Sequence, residues 1–232
     1  MKKYLVFRKE KVMRKVSLKT KINEKRGTGT CADYKPYIYV SESKSDGTAS
    51  IITDWKHGRA IQCLSQSEAM AYYVLRWDDS NVDIREQYPL SSVVTNDIRK
   101  ELGFKKVNNP EFVMTTDFLV LKADGSYAAY SVKYSRDSLT EKEKRNILIE
   151  KKYWESRGVA FSVIYKEDID RTFCNNIRLM VAYYDKANVF DAVSEFRHRI
   201  AVKEIVTDMK TKLIYDKDIL RMLETGEGYH VV

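Results

Sequence analysis

An aspartate and a lysine set on two strands of one hairpin, Asp117 and Lys133, are the residues whose types and spacing could do chemistry in this sequence. The β-rich stretches 112–121 and 127–134 flank Ala123-Asp124-Gly125-Ser126, a hairpin signal. An odd-numbered loop centred on Gly125 sets Asp117 directly opposite Lys133, with Leu119 and Ser131 on the same face. A two-residue turn at 124 and 125 instead pairs Asp117 with Val132 and turns Lys133 to the other face. Taken alone, a carboxylate facing a lysine is most often a cross-strand ion pair. A third acid widens what the pair can do, because Glu68 lies on an upstream helix. Two carboxylates and a backbone carbonyl make an oxygen shell for Mg²⁺, while a lysine stabilises or orients a water beside a phosphate. Such a set suits metal-assisted phosphodiester hydrolysis. Glu68 has a competing reading, since Ser65-Gln66-Ser67-Glu68 is a capping box whose glutamate reaches back to the cap. Glu150 by default is a solvated helix-face acid. His57, His198 and His230 are isolated, and no Gly-Lys-Ser/Thr phosphate loop occurs, so nothing points to a histidine triad or an ATPase.

The elements that must position these side chains follow from periodicity. Residues 66–77 have helical spacing, with Ala69, Tyr72, Tyr73, Leu75 and Trp77 available for burial. Residues 37–41 and 50–53 read as short strands around a turn at 43–47, and 83–90 as a strand closed by Pro89. A short helix over 94–103 ends at Gly103. The helix after the hairpin starts at the capping box Ser138-x-x-Glu141 and runs to Gly158, and 159–165 is an apolar strand. Helices are expected near 171–184, 188–206 and 216–224, a tail with ten basic and eleven acidic side chains between Asp168 and Val232.

Composition bounds the class. With 232 residues, 44% hydrophobic and 32% charged, the chain holds one large or two small domains, which excludes a disordered tail or a solenoid. The net charge of +8 is concentrated: residues 1–26 carry eleven basic side chains against two acidic ones, leaving the remainder near neutral. Such a basic arm points to a polyanion. The run Arg26-Gly27-Thr28-Gly29-Thr30 ends the arm either as a plain turn or as a backbone cradle for an anion. Cys31, Cys63 and Cys174 fit neither a zinc spacing nor a disulfide framework. No apolar run reaches the length of a signal-peptide core or a membrane helix, so the reading is cytoplasmic, with no membrane partner.

The ordered set Lys25-Arg26-Gly27-Thr28-Gly29, Asp33-Tyr34-Lys35-Pro36-Tyr37, His57-Gly58-Arg59, Leu64-Ser65-Gln66-Ser67-Glu68, Trp77, Asp83 to Leu90, Met114 to Val120, Val132-Lys133 and Glu150 to Trp154 resembles the TnsA family. These are endonuclease subunits of heteromeric cut-and-paste transposases. The resemblance spans about residues 20 to 165. It implies an α/β restriction-endonuclease-like core over 27–166, a mixed central sheet flanked by helices. That core would follow the basic arm at 1–26 and precede a small helical, winged-helix-like domain at 167–232. It implies Glu68 and Asp117 as metal-binding catalytic acids, Lys133 as the catalytic lysine, and Glu150 as a secondary acidic position. Ser131 departs from the family, which usually carries Glu or Gln two residues before the lysine. A hydroxyl there can accept a metal-bound water, and the Val132 carbonyl can be a direct ligand of Mg²⁺, or of Mn²⁺ in its place. Lys21, Lys25, Arg26, Arg85, Lys151 and Lys152 are the candidates for DNA contacts. The implied task is nicking transposon ends, with DNA, an integrase-like transposase subunit and an AAA+ ATPase regulator as partners. The alternatives are a DNA- and partner-binding subunit without catalysis, motivated by Ser131, and a stand-alone repair or junction nuclease of the same fold.

Overall fold

The computed structural model describes residues 16–43 and 48–232; residues 1–15 of the basic arm and positions 44–47 of the expected turn lie outside the described residues. The elements in chain order are α1 (Leu18–Asn23), β1 (Ser50–Thr53), β2 (Ala60–Cys63), α2 (Gln66–Trp77), β3 (Asn81–Pro89), α3 (Ser92–Glu101), β4 (Thr115–Lys122), β5 (Tyr127–Lys133), α4 (Glu141–Glu155), β6 (Ala160–Tyr165), α5 (Arg171–Val181), α6 (Ala192–Ala201), β7 (Ile205–Thr207), α7 (Asp216–Thr225) and β8 (Tyr229–Val231). No helix among the described residues is long and apolar enough to cross a membrane.

The central sheet runs β3-β4-β5-β6. β3, β4 and β5 are antiparallel, and β6 lies parallel to β5, reached through α4. Both faces are covered, which is why Phe118-Leu119-Val120-Leu121 reads as a continuous apolar run. Phe118 and Val120 join Ile84, Val132, Ala71 and Tyr72 on the α2 side, while Leu119 and Ala129 pack with Ile149, Tyr153 and Trp154 of α4.

The hairpin loop is odd-numbered as expected, but it is centred on Asp124, so the register differs from that anticipated. Phe118 faces Tyr130 and Leu119 faces Ala129, which places Ser131, not Lys133, opposite Asp117. Gly125 explains the offset. With φ +84° it takes the left-handed last position of a three-residue loop, behind a turn closed by its N–H donating to the Lys122 carbonyl at 3.0 Å. Parity is conserved, so Asp117, Ser131 and Lys133 still share the α4-facing side.

Other boundaries moved for local reasons. No strand forms at 37–41: the Tyr37 N–H donates to the Gln87 carbonyl and the Val40 N–H to Gln62 Oε1, single ties in place of a ladder. α4 is capped by Thr140 with Glu143, one of two overlapping Ser/Thr-x-x-Glu patterns, and not by Ser138 with Glu141. The helix expected over 188–206 stops at Ala201 because Lys203 turns the chain at φ +67°, and the chain continues as β7, paired with β8.

α2 is buried on two sides. Tyr72 faces the sheet, while Tyr73, Val74 and Trp77 pack with Trp55 against the tail cluster of Ile177, Met180, Phe196 and Ile200. The tail therefore has its own core and shares this helix with the sheet. Lys203 fastens the seam, donating to the Trp77 carbonyl at 2.9 Å while standing 3.9 Å above its ring. Fully buried Arg76, on the same helix, binds Asp54 and meets His57, and Arg59 binds buried Glu86, so these pairs tie the β1–β2 ribbon to α2 and β3.

The Gly27–Gly29 run is a plain turn: Gly27 N–H donates to the Lys35 carbonyl and Thr28 bridges Lys35. It must be glycine because of close approach. A Cβ on Gly29 would stand 2.4 Å from the Asp33 carbonyl oxygen, at φ +94°, and one on Gly27 would stand 2.2 Å from Pro89. Gly29→Ala is expected to cost more than about 1 kcal/mol, since both the backbone conformation and the space oppose it. Denaturant unfolding measures this, and parent-like stability would contradict the packing described.

Candidate active site

The site forms where β4 and β5 part. Their ladder ends at Phe118 and Tyr130, after which β5 continues beside β6 through Lys133. There the Val132 N–H donates to Asp117 Oδ2 at 2.6 Å, so the carboxylate takes a backbone donor that β4 no longer serves. The Ser131 hydroxyl, almost fully buried, donates weakly to the same oxygen at 3.4 Å.

Lys133 folds back over this junction. Its Nζ donates to Ser131 Oγ at 2.8 Å and to the Val132 carbonyl at 3.0 Å, and stands 3.6 Å from Asp117 Oδ2. Burial by itself lowers the ammonium pKa, but Asp117 and then Glu150, Glu143 and Glu68 outweigh it and raise the lysine above its ordinary value.

Glu68 sits in the first turn of α2. Ser65 caps the helix by accepting the Glu68 N–H, and the Glu68 carboxyl receives the Leu64 N–H at 2.8 Å, the Ser65 hydroxyl at 3.0 Å and the Gln87 amide at 3.1 Å. The capping role and the site role thus coexist in one side chain. Burial, reinforced by the charge of Asp117, pushes Glu68 up to about 8 despite those donors. Glu150 on α4 is buried too, and burial and Asp117 likewise push it up to about 8. It accepts the Thr116 hydroxyl at 3.3 Å, and Thr116 in turn accepts the Trp154 indole N–H at 2.7 Å.

Six of the residues expected at the site are thus linked by hydrogen bonds or by charge: Glu68, Asp117, Ser131, Val132, Lys133 and Glu150. Sequence reasoning missed two that support them. Gln87, at φ +50° and buried, bridges Glu68 and the Thr115 hydroxyl, and Thr116 carries the link from Trp154 to Glu150. The signal for Gln87 was an uncharged amide inside a strand beside Pro89, a position that burial makes expensive unless it is hydrogen-bonded.

Most of the cations expected to meet DNA take part in ion pairs. Arg26 is held between Glu24 and Glu42 and stacks on Tyr39, and Lys21 pairs with Glu42 over the Tyr37 ring. Arg85 binds Asp83, Lys151 pairs with Glu155, and Lys152 with Glu101. Lys25 is exposed at φ +56°.

The donors at the junction are all oxygens: two carboxyls whose charges oppose one another, and a carbonyl on which an ammonium already rests. That donor set fits a hard divalent cation such as Mg²⁺. No group of three or more acidic, histidine or cysteine side chains suited to a metal occurs among the described residues, so the Val132 carbonyl is integral to the fit.

Residues 78–166 match a family described as TnsA-like endonuclease N terminal, a span that includes Asp117, Ser131, Val132, Lys133 and Glu150. Over 166 residues the chain is 30% identical to the transposon Tn7 transposition protein TnsA of Escherichia coli, covering 70% of this chain and 61% of that protein. The chain thus spans less than two thirds of that relative's length.

Glu150 carries a pH signature. Its folded pKa of about 8 lies above the ordinary 4.5, so the folded state holds the extra proton. The associated stability is complete below about 4.5 and is lost as pH rises through about 8. Glu150→Gln should flatten that decline by on the order of 2 kcal/mol in denaturant melts taken on either side of the window. A variant whose stability still falls as steeply as the parent's would remove Glu150 from this role.

Proposed function

We propose, from the match of residues 78–166 to the TnsA-like endonuclease N terminal family and the similarity to the Tn7 protein TnsA, that this chain is a TnsA-family, metal-dependent DNA endonuclease acting as one subunit of a heteromeric transposase. It nicks the ends of a mobile element by phosphodiester hydrolysis, so that the element is excised by cut-and-paste. An integrase-like transposase subunit processes the other strand, and an AAA+ ATPase regulates the assembly. The observation that carries this reading is the junction of β4 and β5, where the Val132 N–H holds Asp117 at 2.6 Å and Lys133 Nζ stands 3.0 Å from the Val132 carbonyl and 3.6 Å from Asp117.

The chain's own residues divide the work. Asp117 is oriented by the Val132 N–H, which fixes one oxygen and leaves the other to the site. Lys133, kept protonated by the surrounding carboxylates, sets a fixed positive charge where a phosphate gains negative charge in the transition state. It can also hold an attacking water by donating to its oxygen. Glu68 and Gln87 close the α2 side, and Glu150, seated on Thr116, closes the α4 side. Glu68, Asp117 and the Val132 carbonyl would hold Mg²⁺, or Mn²⁺ in its place, which when bound supplies Lewis-acid charge against the phosphate oxygens. Ser131 does not remove the function in this reading, because its hydroxyl orients both Asp117 and Lys133.

Asp117→Asn and Lys133→Ala should each lower cleavage of end-containing plasmid DNA, assayed with the transposase partner, by about 10²–10³-fold or more while leaving the fold intact. EDTA should abolish cleavage by the parent. Parent-like cutting by either variant, or cutting that survives EDTA, would refute the assignment.

A further inference from the structure

Between α3 and α4 lies an open groove of about 550 Å³ lined by Arg99, Lys105, Lys142 and Arg145, with Phe104 and Phe112 giving it apolar walls. None of the described residues that line it is acidic. Among the described residues none of its four cations has an ion-pair partner. Arg99 is half-buried, and its guanidinium donates to the Met114 sulfur at 3.2 Å, while Arg145 donates to the Glu141 backbone carbonyl at 3.1 Å. The neighbouring acids are committed elsewhere, Glu141 to Lys144 and Glu101 to Lys152. Burial, and after it the charge of Arg145, hold Arg99 below the ordinary arginine range. Four cations gathered with no carboxylate at ion-pair distance among the described residues, two of them repelling across a partly apolar groove, are an arrangement that an anion would relieve. Most of the cations first expected to meet DNA by contrast have a carboxylate at ion-pair distance.

We propose that this groove grips the phosphate backbone of duplex DNA and delivers it to the junction at Lys133. The inference rests on the nuclease reading and adds to it where the substrate lies. The path follows α4: Lys142, Arg145 and Asn146 line the groove, while Glu143, one residue from Lys142, already acts on the charge of Lys133. A backbone with a charge every ~3.4 Å per strand can meet several of these cations at once. Because the groove meets phosphate, it holds the duplex without selecting its sequence.

The test uses the full chain carrying Asp117→Asn, so that DNA is not cut, and a labelled mixed-sequence duplex as probe. Adding Arg99→Gln, Lys142→Gln and Arg145→Gln should lower the slope of log affinity against log salt by about two to three, at roughly 0.9 for each phosphate no longer neutralised. Arg99→Lys with Arg145→Lys, which keeps the charges, should retain most of the slope. Where the triple variant melts early, exposed Lys142→Gln alone should lower the slope by about one. An unchanged slope in these charge-removing variants, or a parent that binds no duplex, overturns the groove while leaving the cleavage reading to its own assay with the transposase partner.

Discussion

One ammonium holds together a site that electrostatics would otherwise disperse. Asp117 presses its negative charge on buried Glu68 from one side and on buried Glu150 from the other, and Lys133 is the cation that answers all three. The sheet makes this tolerable. By parting at the Phe118–Tyr130 pair, β4 and β5 leave the Val132 N–H free to anchor Asp117, which then faces the lysine from a fixed position. Two of the three acids respond by retaining protons. Such a crowd is costly as pure architecture, and acids perturbed in this way mark functional sites.

The scaffold concentrates its rigidity around that point. Phe118 packs on α2 while its neighbour Asp117 faces α4, so each flank of the sheet supplies an acid to the same end: Glu68 from one helix, Glu150 from the other. α2 is further clamped by buried Arg76 and by the tail, and the turn at Gly27 and Gly29 is pressed against Pro89 and Asp33. Removing the tail would uncover Tyr73, Val74, Trp77 and Trp55, so its packing serves the core as well as any partner.

How far this was legible in the sequence depended on the range of the interaction. α2 and β6, whose patterns are local and strongly periodic, stand almost where periodicity places them. The shared face of Asp117 and Lys133 followed from parity, but the register did not, because Asp-Gly marks a hairpin without saying which residue takes the left-handed position. Thr140 displaced Ser138 as a cap since both begin the same short pattern. The fate of the cations was the least legible. Nothing near Arg26 in the chain announces Glu42, and nothing near Lys152 announces Glu101, whereas Arg99 and Arg145, without acidic partners among the described residues, carried no distinguishing pattern. Gln87 and Thr116 were hidden for a related reason: their value lies in whom they touch across strands.

The three tryptophans are distributed in a way that gives the molecule optical handles of its own. The Trp154 indole donates to Thr116, whose hydroxyl donates to Glu150, so the electric field of the acidic cluster reaches a fluorophore through two hydrogen bonds. Trp55 stacks on Tyr73 and Trp77 lies under Lys203, both at the seam between α2 and the tail. Emission from the first therefore reports the chemistry of the junction, and emission from the other two reports whether the tail is seated, with no label attached.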